Sequence, residues 1–168
     1  MPDASIQLLS CLPRLRRYAR ALMGSKMEAD DLVQVTVERG WSRLASWRRG
    51  SDMRVWLFSI MHNLHVDQLR PPSVSTEVLD GDTPMPQVNA SQANRLEIRD
   101  MESALQQLSA EQREVVLLVA LEEMTYDEVA ASLGVPLGTV MSRLSHGREK
   151  LRALMEGGAL ASPLKVIK

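Results

Sequence analysis

The sequence predicts an all-α fold of two small helical domains joined by a flexible linker. Apolar residues recur at spacings of three and four over most of the chain, and no segment of useful length alternates between apolar and polar residues. Aromatic residues make up only 4%, whereas the helix formers Leu, Ala, Met, Glu and Arg are abundant. Four prolines within residues 71–94 break the pattern and predict the linker. The predicted domains are therefore residues 1–70 and 95–156, followed by a loosely ordered tail at 157–168.

The N-terminal half predicts three helices. The first carries its apolar face over residues 8–22 and ends at the glycine that soon follows. Ser25 and Glu28 have capping-box spacing and open the second helix, which runs to about Leu44. After a polar loop at residues 46–51, the third helix continues to the paired prolines that stop it.

The C-terminal half predicts four helices. The first spans about residues 93–108. A second capping box, Ser109 with Gln112, opens the next helix, and a third opens a short helix over 125–133. The last helix spans about residues 137–155 and ends at two consecutive glycines.

The segment 125–154 carries the sharpest local pattern. A short capped helix, the turn Gly134–Pro136 and a longer helix predict a helix-turn-helix. One face of the longer helix is apolar, while the opposite face has short polar side chains flanked by arginines. Such a face suits the DNA major groove, because short side chains admit the helix and arginine bonds guanine or phosphate. The alternative is an amphipathic hairpin that never contacts nucleic acid.

Charge is unevenly distributed along the 168 residues, although the net charge is only −1. Residues 1–70 carry an excess of four positive charges, residues 71–123 an excess of seven negative charges, and residues 124–168 an excess of two positive charges. Two basic ends around an acidic middle fit a protein that meets a polyanion at two places. Chance clustering on solvated helix faces gives the same pattern.

Several classes of function lack the residues that they need. The single cysteine, Cys11, excludes an internal disulfide, and neither a catalytic constellation nor a Walker-type glycine loop is present. His62 and His65 lie three residues apart, but two ligands do not make a metal site. There is no secretory signal and no run of about 20 apolar residues. We therefore expect a cytoplasmic protein that is not an enzyme and holds no cofactor or metal.

Three short motifs stand in order along the chain: DLVQ at residues 31–34, RVWLFSIMHNLHVD at 54–67 and GTVMSR at 138–143. Each motif is weak alone, but their order, their spacing and the proline-rich segment between them are specific in combination. With them the chain resembles an extracytoplasmic-function (ECF) sigma factor, the minimal group 4 type of the sigma-70 family, which has only domains 2 and 4. The resemblance covers about residues 8–70 and 95–155.

The resemblance implies a protein that directs transcription initiation by binding core RNA polymerase and promoter DNA. In this family the DLVQ helix docks on the clamp helices of the polymerase β′ subunit, and the β flap is a second contact. Asp31, Gln34 and Arg39 are implied in the clamp contact, and an apolar stripe with a polar rim suits an interface. Alternatively, Asp30 and Asp31 merely complement the positive end of a helix.

The resemblance also implies contacts with the promoter −10 element. Trp47 would stack on a base flipped from the duplex while Arg48 and Arg49 hold phosphates. The alternative is that Trp47 folds onto the core. Asn63 matches a −10-reading position, and Ser59 stands where many relatives carry a basic residue. The full implied set is Trp47, Arg48, Arg49, Ser59, Asn63 and Asp67.

The last helix is implied in reading the −35 element. Two departures from the family pattern occur there: Met141 stands where lysine or arginine is usual, and His146-Gly147 replaces a common Arg-Ala. A glycine within a helix costs about 1 kcal/mol relative to alanine, which predicts a softer helix. The expected −35 contacts are Thr139, Ser142, Arg143, Ser145, His146 and Arg148.

Regulation by an anti-sigma partner that covers the polymerase-binding surfaces is also expected from the resemblance. The charge distribution adds the hypothesis that the acidic middle folds onto the basic DNA-binding faces and damps promoter binding by the free protein. Two other functions stay open. One is a sigma-like decoy that sequesters an anti-sigma factor, although such mimics carry a phosphoreceiver domain. The other is a stand-alone helix-turn-helix regulator, which predicts dimerisation and a palindromic site.

Overall fold

A computed structural model describes the backbone over residues 3–69 and 92–160, and the side chains except those at 69, 92–98 and 157–160. Within these ranges the chain is helical without strands, and the predicted all-α fold is confirmed. Most of the predicted linker, 71–94, lies outside them. The helices are α1 (Ala4–Ser10), α2 (Leu12–Met23), α3 (Lys26–Ser42), α4 (Met53–Leu69), α5 (Gln92–Gln107), α6 (Ala110–Ala120), α7 (Tyr126–Leu133) and α8 (Leu137–Leu160), with a 3₁₀ turn at Leu44–Ser46.

The predicted caps open three helices. The Ser25 side chain accepts a hydrogen bond from the Glu28 amide at the start of α3. Ser109 and Thr125 each form a reciprocal capping box with the residue three positions later, at the starts of α6 and α7. Each cap satisfies amide groups that a helix start leaves without a backbone partner, so these local patterns set the helix boundaries.

Two predicted boundaries are wrong. The first predicted helix is two helices that meet at Cys11, because Pro13 has no amide hydrogen and its ring opposes a continuous helix through Leu9. At the other end, α8 continues through Gly157 and Gly158 to Leu160 instead of ending at the glycines. Glycine lowers helix propensity but does not forbid a helix.

Both halves of the chain contribute to one buried apolar cluster. In the N-terminal half α3 packs against α2 and α4, with Gly40 at the crossing: a Cβ there would lie 2.9 Å from Leu57 Cδ2. The rings of Tyr18 and Phe58 meet edge to face, 4.8 Å between centroids. In the C-terminal half α8 packs on α5, α6 and α7. The halves join where α4 lies on α7 and where α2 lies on α5 and α6.

Candidate nucleic-acid interface

The predicted helix-turn-helix is formed by α7, α8 and the turn between them. Gly134 ends α7 in the left-handed conformation, with φ of 69°, and its amide donates to the Ala130 carbonyl at 2.8 Å. The following amide, of Val135, donates to the same carbonyl at 3.2 Å. The left-handed conformation suits glycine because it has no Cβ. The chain then enters α8, where the Thr139 and Val140 amides donate to the Pro136 carbonyl.

The outer face of α8 is the surface expected to read DNA. Val140, Leu144 and Gly147 are buried against the rest of the domain, which fixes the rotation of the helix. Of the six expected −35 contacts, four are exposed and Thr139 and Arg143 are half-buried. The exposed four are Ser142, Ser145, His146 and Arg148.

Gly147 has a packing role that the sequence did not indicate. A Cβ at this position would lie 2.9 Å from Val116 Cγ2 and 3.4 Å from Gln112 Cβ, so the glycine lets α8 cross α6 closely. The departure from the family pattern at this site is therefore accommodated by packing. Its neighbour His146 remains on the exposed face.

The residues expected at the −10 element divide into two groups. Arg48 and Arg49 are exposed on the loop before α4. Asn63 and Asp67 are exposed on α4, and Ser59 is half-buried on the same helix. The α4 residues follow at intervals of four, so they share one face.

Trp47 packs in the core in this structure. Its side chain is 6% exposed and belongs to the buried cluster, as the alternative reading held. This burial favours a structural role for the ring over stacking on a flipped base. The indole Nε1 is buried without a hydrogen-bond partner among the described residues. The tryptophan therefore anchors the loop that presents Arg48 and Arg49.

The expected polymerase-binding face lies on α3. Asp31 and Gln34 are exposed, and Arg39 is half-buried. The Gln34 amide donates to Glu38 Oε2 at 3.2 Å. A groove runs between α2 and α3 beside them, and its α2 wall carries two arginines that lie outside the DLVQ motif. The groove is lined by Leu12, Arg16, Arg20, Asp30, Val33, Gln34, Val37 and Glu38.

The two histidines considered for metal binding meet a carboxylate of the other half. His62 Nδ1 lies 2.7 Å from Glu114 Oε2 on α6. His65 is 3% exposed, and neither of its ring nitrogens has a hydrogen-bond partner in the part of the chain that the structure describes. Burial lowers the pKa of His65, while the charge of Glu114 opposes this shift. Among the described residues, no three potential ligands converge on a metal position. Burial, followed by the charge of Asp52, raises the pKa of the Cys11 thiol, which disfavours the reactive thiolate.

No helix in the described ranges is long and apolar enough to span a membrane. The fold and these exposed faces define an all-α protein with a helix-turn-helix. Residues 8–62 match the family model described as the Sigma2 domain of PhyR, and residues 98–151 match Sigma-70, region 4.

Similar proteins identify the family more closely. The ECF RNA polymerase sigma factor EcfG of Rhodopseudomonas palustris is 35% identical over 149 residues, which are 88% of this chain and 82% of EcfG. The solved sigma factor RpoE of Bartonella quintana, in complex with the anti-sigma factor NepR, is 32% identical with a TM-score of 0.74, over 90% of this chain and 96% of RpoE. CnrH, solved with the cytosolic domain of CnrY, is 28% identical with a TM-score of 0.68, over 92% and 88%.

The chain belongs to the ECF RNA polymerase sigma factors. It is a sigma factor that directs promoter recognition and transcription initiation. Sigma factors bind core RNA polymerase and promoter DNA, and as a family they are not enzymes.

Proposed function

We propose that three exposed faces of this sigma factor bind three different targets. The α3 face binds the clamp helices of core polymerase, the α4 face with its preceding loop contacts the −10 element, and the α8 face contacts the −35 element. The domains that carry these faces are residues 1–70 and 95–156, joined by the linker at 71–94. The chain acts in the cytoplasm and catalyses no reaction itself.

The observation that carries the proposal is the orientation of α8. Its buried side holds Val140, Leu144 and Gly147, so the side with Ser142 and Arg148 must face outward. A helix that follows a tight turn and presents polar and cationic groups outward meets the requirements of the major groove. Arg143 lies at the edge of this face, where its guanidinium is within reach of guanine or phosphate.

At the −10 element, the amide of Asn63 suits bidentate recognition of adenine, or contact with an unpaired base. Arg48 and Arg49 supply phosphate contacts from the adjoining loop. Asp67 is retained as a member of this face, and Ser59, which is half-buried, contributes from its edge. Trp47 is not retained.

The polymerase-binding face can be tested by affinity for purified core polymerase. The double variant Asp31→Ala/Gln34→Ala removes two exposed polar groups from α3, and we expect roughly tenfold weaker binding. The control Asp100→Ala/Gln107→Ala makes the same chemical change on the exposed surface of α5 and should bind as the wild type does. Equal affinity of the two double variants would remove the α3 face from the proposal.

An anti-sigma partner is proposed on the same grounds as the polymerase contact. RpoE and CnrH were each solved with such a partner, and both resemble this chain over about nine tenths of its length. The groove between α2 and α3 has apolar residues on its floor and both charge signs at its edges, which suits a partner helix. Core polymerase and the partner would then compete for one surface.

The match of residues 8–62 to a PhyR domain supports a second candidate, the decoy. A decoy would bind the anti-sigma partner without binding core polymerase. The core-binding measurement above separates the two functions, because a decoy shows no affinity for core even as the wild-type chain.

A further inference from the structure

Polar groups link the two halves of the chain in addition to the shared apolar core. We propose that a charged latch, formed by Glu122 with Arg14, Arg17 and Arg54, holds this sigma factor closed on itself. The latch must open before the protein can occupy a complete promoter. This inference rests on the proposed function in one respect: it takes α4 and α8 as the helices that read the two promoter elements.

Glu122 lies at the centre of the latch. Its side chain, in the turn after α6, has no exposed surface, and its carboxylate faces two arginines of α2. Arg14 Nη1 lies 3.5 Å from Oε1, and Arg17 Nη2 lies 3.4 Å from Oε2. The Arg14 contact is an ion pair without an aligned hydrogen bond, since Oε1 has no hydrogen-bond partner among the described residues. A buried carboxylate of one half is thus neutralised by cations of the other half.

Arg54 closes the latch from α4. Its Nη1 donates to the main-chain carbonyl of Glu122 at 2.7 Å, and its Nη2 lies 3.4 Å from Glu128 Oε1 on α7. One turn further along α7, the Ser132 hydroxyl donates to the Val55 carbonyl at 3.0 Å. The start of α4 is therefore fixed to the helix that supports the recognition helix.

The His62–Glu114 pair adds a second polar contact between the halves. Glu114 is buried on α6, and His62 reaches it from α4 at 2.7 Å. Glu114 and Glu122 both belong to the acidic middle of the chain, and their partners belong to the basic N-terminal half. These partners are not among the residues expected to contact DNA, so the hypothesis that the acidic middle folds onto the basic DNA-binding faces stays a prediction.

Charged contacts of this kind are suited to an interface that must open. Burying a carboxylate is costly, and its attraction to partly hydrated arginines roughly offsets that cost without a large surplus. Arg14 and Arg17 keep 47% and 54% of their side-chain surface exposed, so salt weakens their attraction. When the halves separate, the carboxylate of Glu122 and its arginine partners are hydrated again. Opening also exposes the apolar surface that the two halves share, so a ligand must supply free energy by binding the open form more tightly than the closed form.

The dimensions of a promoter explain why opening is required. By their names the −10 and −35 elements lie about 25 base pairs apart, which is about 85 Å along B-form DNA. A compact chain of this length is only about 40 Å across. The closed form can engage one element at a time, and both together only after the halves separate. The α3 and α8 faces are exposed in the closed form, so polymerase or DNA can bind before opening.

Small-angle X-ray scattering of the full chain, without polymerase or DNA, tests the latch. We expect a radius of gyration of about 16 Å at low salt. It should rise with salt as the screening length falls from about 10 Å at 0.1 M to about 3 Å at 1 M. The charge-reversed variant Arg14→Glu/Arg17→Glu should be expanded towards about 25 Å at every salt concentration. Its control, Arg16→Glu/Arg20→Glu, makes the same charge change on α2 away from Glu122 and should stay compact at low salt.

Two results would overturn the latch: a charge-reversed variant as compact as the wild type, or a wild type expanded at low salt. Circular dichroism verifies that each variant keeps its helices. Should the charge-reversed variant unfold, the wild-type salt series decides, because a radius independent of salt also contradicts the latch. Scattering detects closure alone, so its failure leaves the proposed function intact, and a failure of core binding leaves the latch intact.

Discussion

Trp47 shows how a residue role carried over from a family depends on the local packing. The resemblance implied that its ring stacks on a promoter base, yet the ring is buried and the neighbouring arginines are exposed. Sequence placed the tryptophan in the correct loop, but an aromatic side chain fits a core and a binding loop equally well. Only the surrounding side chains decide which way such a ring turns.

Replacing Trp47 by alanine should therefore lower stability. Loss of a large buried aromatic typically costs about 3–5 kcal/mol, because a cavity remains where the ring packed. Thermal or denaturant unfolding measures the change. A Trp47→Ala protein with wild-type stability that had lost affinity for promoter DNA would restore the base-stacking role instead.

Arg143 lies at the edge of the α8 face and should contribute directly to −35 recognition. If it bonds a guanine, Arg143→Ala should weaken promoter affinity by about 1–3 kcal/mol and relax the preference at one base pair. Holoenzyme binding to promoter variants measures both effects. Arg152→Ala, which removes an exposed charge about two and a half turns further along α8, should leave the base preference unchanged. An affinity unaffected by Arg143→Ala would remove this residue from the site.

His65 should make stability depend on pH below neutrality. Burial lowers its pKa in the folded chain, whereas the unfolded chain binds a proton near the ordinary value of about 6.5. As pH falls below that value, the unfolded state gains a proton that the folded state does not, so stability decreases, by at most about 1.4 kcal/mol per pH unit.

Denaturant unfolding of wild type and His65→Gln at several pH values tests this. The variant should show a shallower loss of stability than the wild type between about pH 6.5 and 5, since it lacks the titrating ring. Above pH 7.5 the two slopes should agree. Identical slopes over the acidic range would mean that His65 does not titrate differently in the two states.

At the scale of helices, Gly147 permits the close crossing of α8 over α6. Alanine is favoured over glycine in a helix by about 1 kcal/mol, but here its Cβ would lie 2.9 Å from a Val116 methyl group. We expect Gly147→Ala to destabilise the chain by about 1–3 kcal/mol through overpacking. Gly138→Ala is the matched control on the same helix, because nothing lies within 4 Å of its Cβ position. A Gly147→Ala chain more stable than wild type would show that the two helices can separate at low cost.

Most helices could be predicted from the sequence because their signals are local. The capping boxes at Ser109 and Thr125 involve residues three apart, and Gly134 ends α7 through its own backbone conformation. The failures occurred where one residue has competing effects. Pro13 is compatible with the first turn of a helix, so its presence alone does not show where the preceding helix ends. Paired glycines weaken a helix without ending it.

At the scale of the whole molecule, sequence reasoning missed how the halves meet. Glu122 and Arg54 lie 68 residues apart, and nothing in their immediate surroundings marks them as partners. The charge distribution indicated only that an acidic segment lies between two basic ends along the chain. The functions of the outer faces of α3, α4 and α8 were predicted from motifs, whose roles are those that the family resemblance implies. These functions could therefore be proposed without knowledge of the packing.

Run-off transcription with purified core polymerase on fragmented DNA from the source genome tests the central claim most directly. With the chain present, we expect discrete new transcripts that share a two-part upstream sequence, and with core alone we expect none. Arg143→Ala should reduce them through the −35 element, and Asn63→Ala through the −10 element. Absence of both new transcripts and stable core binding would contradict the account and favour the decoy or the stand-alone regulator.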